Sequence, residues 1–227
     1  MAIKRGRWVR AIAAGVLVVL MGLYALCALF VLALRWIDPP TTMVQIQRRL
    51  EAVGRHRPYK KLYVFVPLRR IAPDLQHAVI SAEDGRFRQH HGFDWVEMQK
   101  VLEDDIKRGR LGRGGSTITQ QLVKNLFLTT ERSLIRKAAE FAVVPMMEAL
   151  LRKDRILELY LNVIEWGSGI YGAQAAAEYY YHVPASAVNR EQSARLAAII
   201  PAPLKRKPER MNEYSEEILN RMARVGW

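Results

Sequence analysis

A chain of 227 residues is too short for several independent domains, yet long enough for one with a sizeable core once a membrane segment is set aside. With 50% hydrophobic and 25% charged residues it is not wholesale disorder. Lys and Arg outnumber Asp and Glu by 35 to 22, so its partners are polyanionic: nucleic acid, an anionic membrane surface or a phosphorylated substrate. The one cysteine, Cys27, excludes an intramolecular disulfide and any zinc site built on several cysteines.

Residues 1–10 form a basic tail with Lys4, Arg5, Arg7 and Arg10. Residues 11–34 contain no charge, and at about 1.5 Å per residue they span a hydrocarbon core of about 30 Å with some tilt, which predicts a transmembrane helix. Trp8 and Trp36 flank the run, and the leading cations put the amino terminus in the cytoplasm. A cleaved signal would have a shorter apolar core ending in small residues, and Arg35-Trp36-Ile37-Asp38 offers none. Leu26 before Cys27 likewise argues against a lipid-attachment site. The rest of the chain is then expected outside the cytoplasm, where nucleic acid is not the partner and the cations face lipid headgroups or a pyrophosphate.

Pro39-Pro40 ends the anchor, and residues 35–61 are read as an extended linker and membrane-proximal segment. Residues 62–66 form the one convincing strand-like run. From Pro73 a helix is expected, with Leu75, Ala78, Val79 and Ala82 on one face, ending near Glu83-Asp84-Gly85. Residues 109–115 hold four glycines among arginines and suit a mobile lid. Further helices are predicted over 129–151, 154–164, 172–181, 189–200 and from 215 to the carboxyl end. The class is all-α, with residues 62–227 as the working domain.

Four constellations carry chemistry. Glu83 and Asp84 close a helix beside Phe87 and His90, and a carboxylate partly desolvated by an aromatic acquires a pKa suited to a general base. A solvated acidic turn looks the same, and His90-His91 is weak evidence for a metal. In Gly114-Gly115-Ser116-Thr117, the glycines admit a ligand to the backbone and Ser116 is a candidate cap for the next helix. Gln121, Lys124 and Asn125 share that helix's polar face, and no Walker-type loop is present. Arg136 and Lys137 lie four and three residues before Glu140: a surface stripe, or in a cleft a carboxylate and two cations for a pyrophosphate. Pro145 is expected to kink that helix. The segment 152–162, with Ile156, Leu157, Tyr160 and Leu161 as an apolar stripe, reads as structural.

Over residues 66–203 these motifs resemble the bacterial peptidoglycan glycosyltransferase family, in particular its monofunctional biosynthetic transglycosylases. Glu83-Asp84-x-x-Phe87-x-x-His90-x-Gly92 resembles the first family motif, and Gly115-Ser116-Thr117-Ile118-Thr119-Gln120-Gln121-x-x-Lys124-Asn125 the second. Arg136-Lys137-x-x-Glu140 resembles the third, and Ile156-Leu157-x-x-Tyr160-Leu161-Asn162 with Gly167 and Gly172 the fourth. Pro145 departs from the usual aliphatic pattern at its position.

The resemblance implies a lysozyme-like helical domain with a small mobile lobe behind one transmembrane helix. It implies that lipid II and the growing glycan chain are the substrates, with Glu83 as general base and Glu140 as assistant to the leaving group. Lys124, Arg136 and Lys137 would neutralise the pyrophosphate, Ser116, Thr117, Gln121 and Asn125 would line its cleft, and Asp84, Phe87 and His90 count with the substrate-binding residues. No cofactor is expected to be required, with room for a divalent cation (Mg or Mn) at the pyrophosphate. The setting is the bacterial inner membrane, with cell-wall synthesis or division proteins as further partners. A muramidase-like hydrolase and a non-catalytic membrane scaffold are the alternatives.

Overall fold

The structure, a computed structural model, describes residues 2–109, 115–131 and 133–227. Its first helix, α1 (Ala2–Ala33), contains a stretch, Arg10–Ala33, long and apolar enough to cross a membrane. Only 6% of its most apolar window is buried, so it is not the core helix of a soluble domain. Its carboxyl-terminal part and the residue after it are built into the domain: Val31 and Leu34 are buried, Phe30 meets Phe127 edge-on at 5.4 Å, and the Tyr24 hydroxyl donates to the Ala142 carbonyl at 3.4 Å.

The segment after α1 is not the expected extended linker. Beyond Pro39-Pro40 it forms α2 (Met43–Gly54), capped by Thr42 and packed on α5 (Ile118–Phe127). The Arg155 guanidinium holds the turn before it, donating to the carbonyls of Leu34 (2.7 Å) and Ile37 (3.2 Å) and pairing with Asp38.

The expected strand over 62–66 is two residues long, β1 (Leu62–Tyr63), because its partner is equally short. It pairs in parallel with β3 (Ile170–Tyr171), which pairs antiparallel with β2 (Glu165–Gly167). Neither β2 nor β3 was expected; each is too short to show a period. Gly169 is required in the turn, since at φ +74 a Cβ would stand 2.3 Å from the Lys60 carbonyl oxygen.

The helical layers follow. α3 (Pro73–Glu83) starts on Pro73 as expected and packs against α9 (Arg190–Ile199) and α10 (Asn212–Arg224). α5 packs between α6 (Leu134–Leu150) and α7 (Lys153–Val163), and α8 (Ala173–Tyr181) covers the sheet. α4 (Trp95–Arg108) was not anticipated, although Asp94 caps it and Gly109, at φ +62, ends it. α6 begins at Leu134, five residues later than expected, where the Ser133 hydroxyl accepts from the Arg136 amide, and it runs unbroken through Pro145. Ten helices and one three-stranded sheet among the described residues bear out the all-α class. Of the lid expected over 109–115, residues 110–114 lie outside the described residues.

α7 is a staple as well as core. Ile156, Leu157, Tyr160 and Leu161 are fully buried, and the Asn162 amide clasps both backbone groups of Val66, at 2.8 and 2.9 Å. Gly172 lies against the same residue: at φ +85, a Cβ there would meet the Asn162 carbonyl oxygen at 2.6 Å. Gly172→Ala therefore adds backbone strain of about 1–3 kcal/mol, for a φ/ψ pair that is essentially restricted to glycine, to a steric clash. Its thermal midpoint is expected to fall by about 4 °C or more, measured by scanning calorimetry in detergent.

Candidate active site

Glu83 is the last residue of α3, where Asp84 takes the chain out of the helix. The Gln121 amide nitrogen of α5 donates to one Glu83 carboxylate oxygen at 2.7 Å, and the Tyr160 hydroxyl of α7 donates to the Gln121 amide oxygen at 2.9 Å. Three helices thus converge on one carboxylate. Burial raises the Glu83 pKa above the usual carboxylate range; the Gln121 hydrogen bond and the charges of Lys124 and Arg206 oppose the rise, and Asp84 adds to it. Burial, with Glu83 and Asp84 nearby, keeps the Tyr160 phenol protonated well beyond its usual range, which suits a donor.

Asp84, Phe87 and His90 do something different from Glu83. The Gly92 amide donates to His90 Nδ1 (3.1 Å), which leaves the proton on Nε2, facing Asp84 Oδ1 at 2.8 Å. The other Asp84 oxygen accepts from the Ile118 amide at 2.9 Å, and Phe87 is fully buried under the Lys153 ammonium. These residues lock the turn after Glu83 onto the start of α5. Thr117 takes part, since it, and not Ser116, caps α5 through a capping box with Gln120 and also donates to the Gly92 carbonyl at 2.7 Å.

Asp84, His90 and Asp94 present ligand atoms within 4.8 Å of one another. Both nitrogens of His90 and both oxygens of Asp84 are engaged, and Asp94 accepts from the Glu97 amide while facing Arg86. The group is a closed hydrogen-bonded bracket, which does not fit a divalent ion.

On α6, Glu140 is buried, with one oxygen on Arg136 at 2.8 Å and the other on Lys137. Lys124 stands in the field of all of them. Burial lowers its pKa from the ordinary lysine value; Glu140 and Glu83 pull it up, Arg136 and Lys137 push it down. The two carboxylates and three cations singled out in sequence are therefore one electrostatic group.

Glu83, Ser116 and Gln121 open onto a cavity of about 850 Å³ whose lining also includes Arg206, Tyr214 and Arg221. Gln121, Pro201 and Ala202 also line a second cavity, of about 300 Å³, where Lys124 and Asn125 meet Arg48, Glu165 and Lys205. A third, of about 510 Å³, joins Ser116 and Lys137 to Trp95 and Leu102 of α4. Sequence reasoning missed Arg48, Lys205, Arg206 and Tyr214. The run Lys205-Arg206-Lys207 was visible, but a cationic run is ordinarily a solvated face. Tyr160, taken as part of an apolar stripe, carries a hydroxyl that reaches the site.

The chain matches the family described as transglycosylase over residues 50–225. It is 47% identical over 207 residues to the biosynthetic peptidoglycan transglycosylase of Thiobacillus denitrificans, covering 87% of this chain and 85% of that protein. With the protein of the same description from Aromatoleum aromaticum it shares 44% identity over 216 residues, 92% and 94% of the two chains. With that of Laribacter hongkongensis the figure is 43% over 195 residues, 82% and 86%.

Proposed function

This chain belongs to the transglycosylase family, and on that premise we propose that it is a peptidoglycan glycosyltransferase that polymerises lipid II. Its helical domain is the lysozyme-like transglycosylase fold, and its amino-terminal apolar helix is a candidate membrane anchor. The observation that carries the mechanism is the setting of Glu83: a carboxylate made more basic by burial, held by Gln121, at the wall of the larger cavity and in the field of Lys124.

Glu83 takes the proton of the acceptor GlcNAc 4-hydroxyl as that oxygen attacks C1 of the donor MurNAc. The bond from C1 to the pyrophosphate breaks, configuration inverts, and a β-1,4 link forms. Lys124, Arg136 and Lys137 receive the negative charge of the departing polyprenyl pyrophosphate, with Glu140 holding the latter two cations in place. Both Glu140 oxygens are committed to these cations, and a Mg or Mn ion at the pyrophosphate would add further neutralising charge for the leaving group. The catalytic domain lies on the outer face of the inner membrane, with the amino terminus in the cytoplasm.

Incubating the purified protein with labelled lipid II and separating products by size tests this reading directly. A ladder of glycan polymers is expected; shortening of preformed strands with lipid II left intact would instead indicate a muramidase.

The rate should show a bell in pH. The base works ionised, so activity falls as pH drops through the raised pKa of Glu83. Lys124 works protonated, so activity falls again as pH rises through its lowered pKa. Gln121→Ala removes a hydrogen bond to the charged carboxylate, which moves the acid limb to higher pH. A hydrogen bond to a charged group contributes about 1.5–3 kcal/mol, so a loss of about tenfold or more at acid pH is expected. Initial rates of lipid II consumption across pH check this.

A further inference from the structure

α2 has two unlike faces. Val44 and Gln45 are buried, Gln47 reaches Thr130 at 2.9 Å, and Arg48 is clamped by Glu165 and Glu51 while lining the 300 Å³ cavity. On the opposite side stand Met43, Ile46, Leu50 and Val53, at i, i+3, i+7 and i+10. At about 100° per residue they fall within an arc of roughly 80°. They are 40, 41, 65 and 64% exposed, so the helix turns an apolar stripe away from its own protein, the reverse of a surface helix in water. Arg49, Arg55 and Arg57 are exposed around it, and none makes a salt bridge among the described residues.

Two observations say what covers the stripe. The first is continuity with the anchor: α1 ends at Ala33, α2 begins at Met43, and the chain between is tied down. Arg155 holds Leu34, Ile37 and Asp38, while Tyr63 donates to the Pro39 carbonyl (2.6 Å) and Lys61 to that of Pro40 (3.1 Å). A second path runs from Phe30 in the anchor through Phe127 to Thr130, which is bonded to Gln47 in the middle of α2. α2 is thus fixed close to the level at which the anchor leaves the bilayer, where exposed Trp36 and Ile37 also stand. The second is charge: an apolar stripe edged by exposed arginines complements acyl chains beneath anionic headgroups.

We propose that α2 is an interfacial helix, lying in the headgroup layer of the anchoring membrane with Met43, Ile46, Leu50 and Val53 toward the acyl chains. The inference rests on reading α1 as a membrane anchor. Arg48 projects from the other face of the same helix into the cleft, so docking α2 sets the cleft's height above the lipid. The cations of that cleft are thereby held at the depth of a pyrophosphate on a membrane-borne substrate.

Full-length protein in the Cys27→Ala background, which has no other cysteine, carries one new cysteine at a time: Leu50→Cys, Trp36→Cys or Glu213→Cys. Each is labelled with an environment-sensitive nitrobenzoxadiazole and reconstituted in phosphatidylethanolamine–phosphatidylglycerol vesicles with or without doxyl-labelled lipid. Labels at 50 and 36 are expected to shift to the blue and be quenched by doxyl lipid, with that at 213 unaffected. Quenching at 36 but not at 50 overturns the proposal while leaving the anchor intact. A blue shift at 50 without quenching also overturns it, since a protein, such as a second copy of the chain, then covers the stripe. No quenching at either position sinks the anchor reading and the proposal together.

Discussion

Glu83→Gln is expected to abolish polymerisation while leaving the domain as stable as before or more so. The glutamine amide is of the same size, and its oxygen can still accept from Gln121, as the carboxylate does at 2.7 Å. What it lacks is a basic oxygen for the acceptor hydroxyl proton. Loss of a positioned base costs about 10²–10⁴-fold, and the fall should appear in kcat, with KM for lipid II little changed. Because the folded-state pKa of Glu83 is raised, the ionised carboxylate opposes folding at every pH above its unfolded value. A neutral amide removes that cost, so the midpoint at pH 7 should hold or rise. Product ladders and calorimetry on the same preparation decide the matter: a variant that polymerises at the parental rate leaves Glu83 without its role, and one that has unfolded tests nothing about the base.

Glu140→Gln should fail in another way. It removes a buried charge to which Arg136 and Lys137 are both bound, and which is the largest electrostatic support of the Lys124 ammonium. Without it three cations repel one another. The pKa of Lys124 falls further, and the alkaline limb of the rate profile moves to lower pH while the acid limb stays. Displaced cations stabilise a leaving group poorly, and a loss of about 10²-fold is expected, spread over kcat and KM. The free energy of unfolding should also drop, by less than the roughly 3–5 kcal/mol of a fully buried broken pair, since Arg136 and Lys137 reach water. Rate profiles for both variants separate the two glutamates: one loses the reaction at all pH values, the other narrows its window from the alkaline side.

Local signals made most of the helices legible. Pro73 at a first turn, the helix start at Asn189 and the apolar periodicity placed α3, α7, α8 and α9 to within a few residues, whereas α6 starts five residues later than the periodicity implied, at its Ser133 cap. α2 and α4 carried comparable signals and were passed over. α2 was hidden by its nearness to Pro39-Pro40, and its apolar stripe proved to be an outward one, which no period distinguishes from an inward one. The strands of the sheet were beyond reach, because two or three residues show no alternation and the pairing of Leu62 with Ile170 is a contact across the whole domain.

Charge, apolar length and motif are properties of neighbours along the chain, and sequence alone determined them: a run long and apolar enough to cross a membrane, four ordered motifs, and two glutamates with three cations between them. Whether those groups face one cleft is a property of packing. Only the tertiary structure could decide that Glu83 stands at the cavity wall while Asp84, one residue on, is consumed in a bracket with His90 and the Ile118 amide. It alone brought Tyr160 to the Gln121 amide and Arg206 and Tyr214 to the cavity that Glu83 lines. The physical reason is that a carboxylate's chemistry is set by its desolvation and by the charges within a few ångströms. Those neighbours come from α5, α7 and the segment after α9, tens of residues away, and are chosen by how the apolar faces of the helices pack.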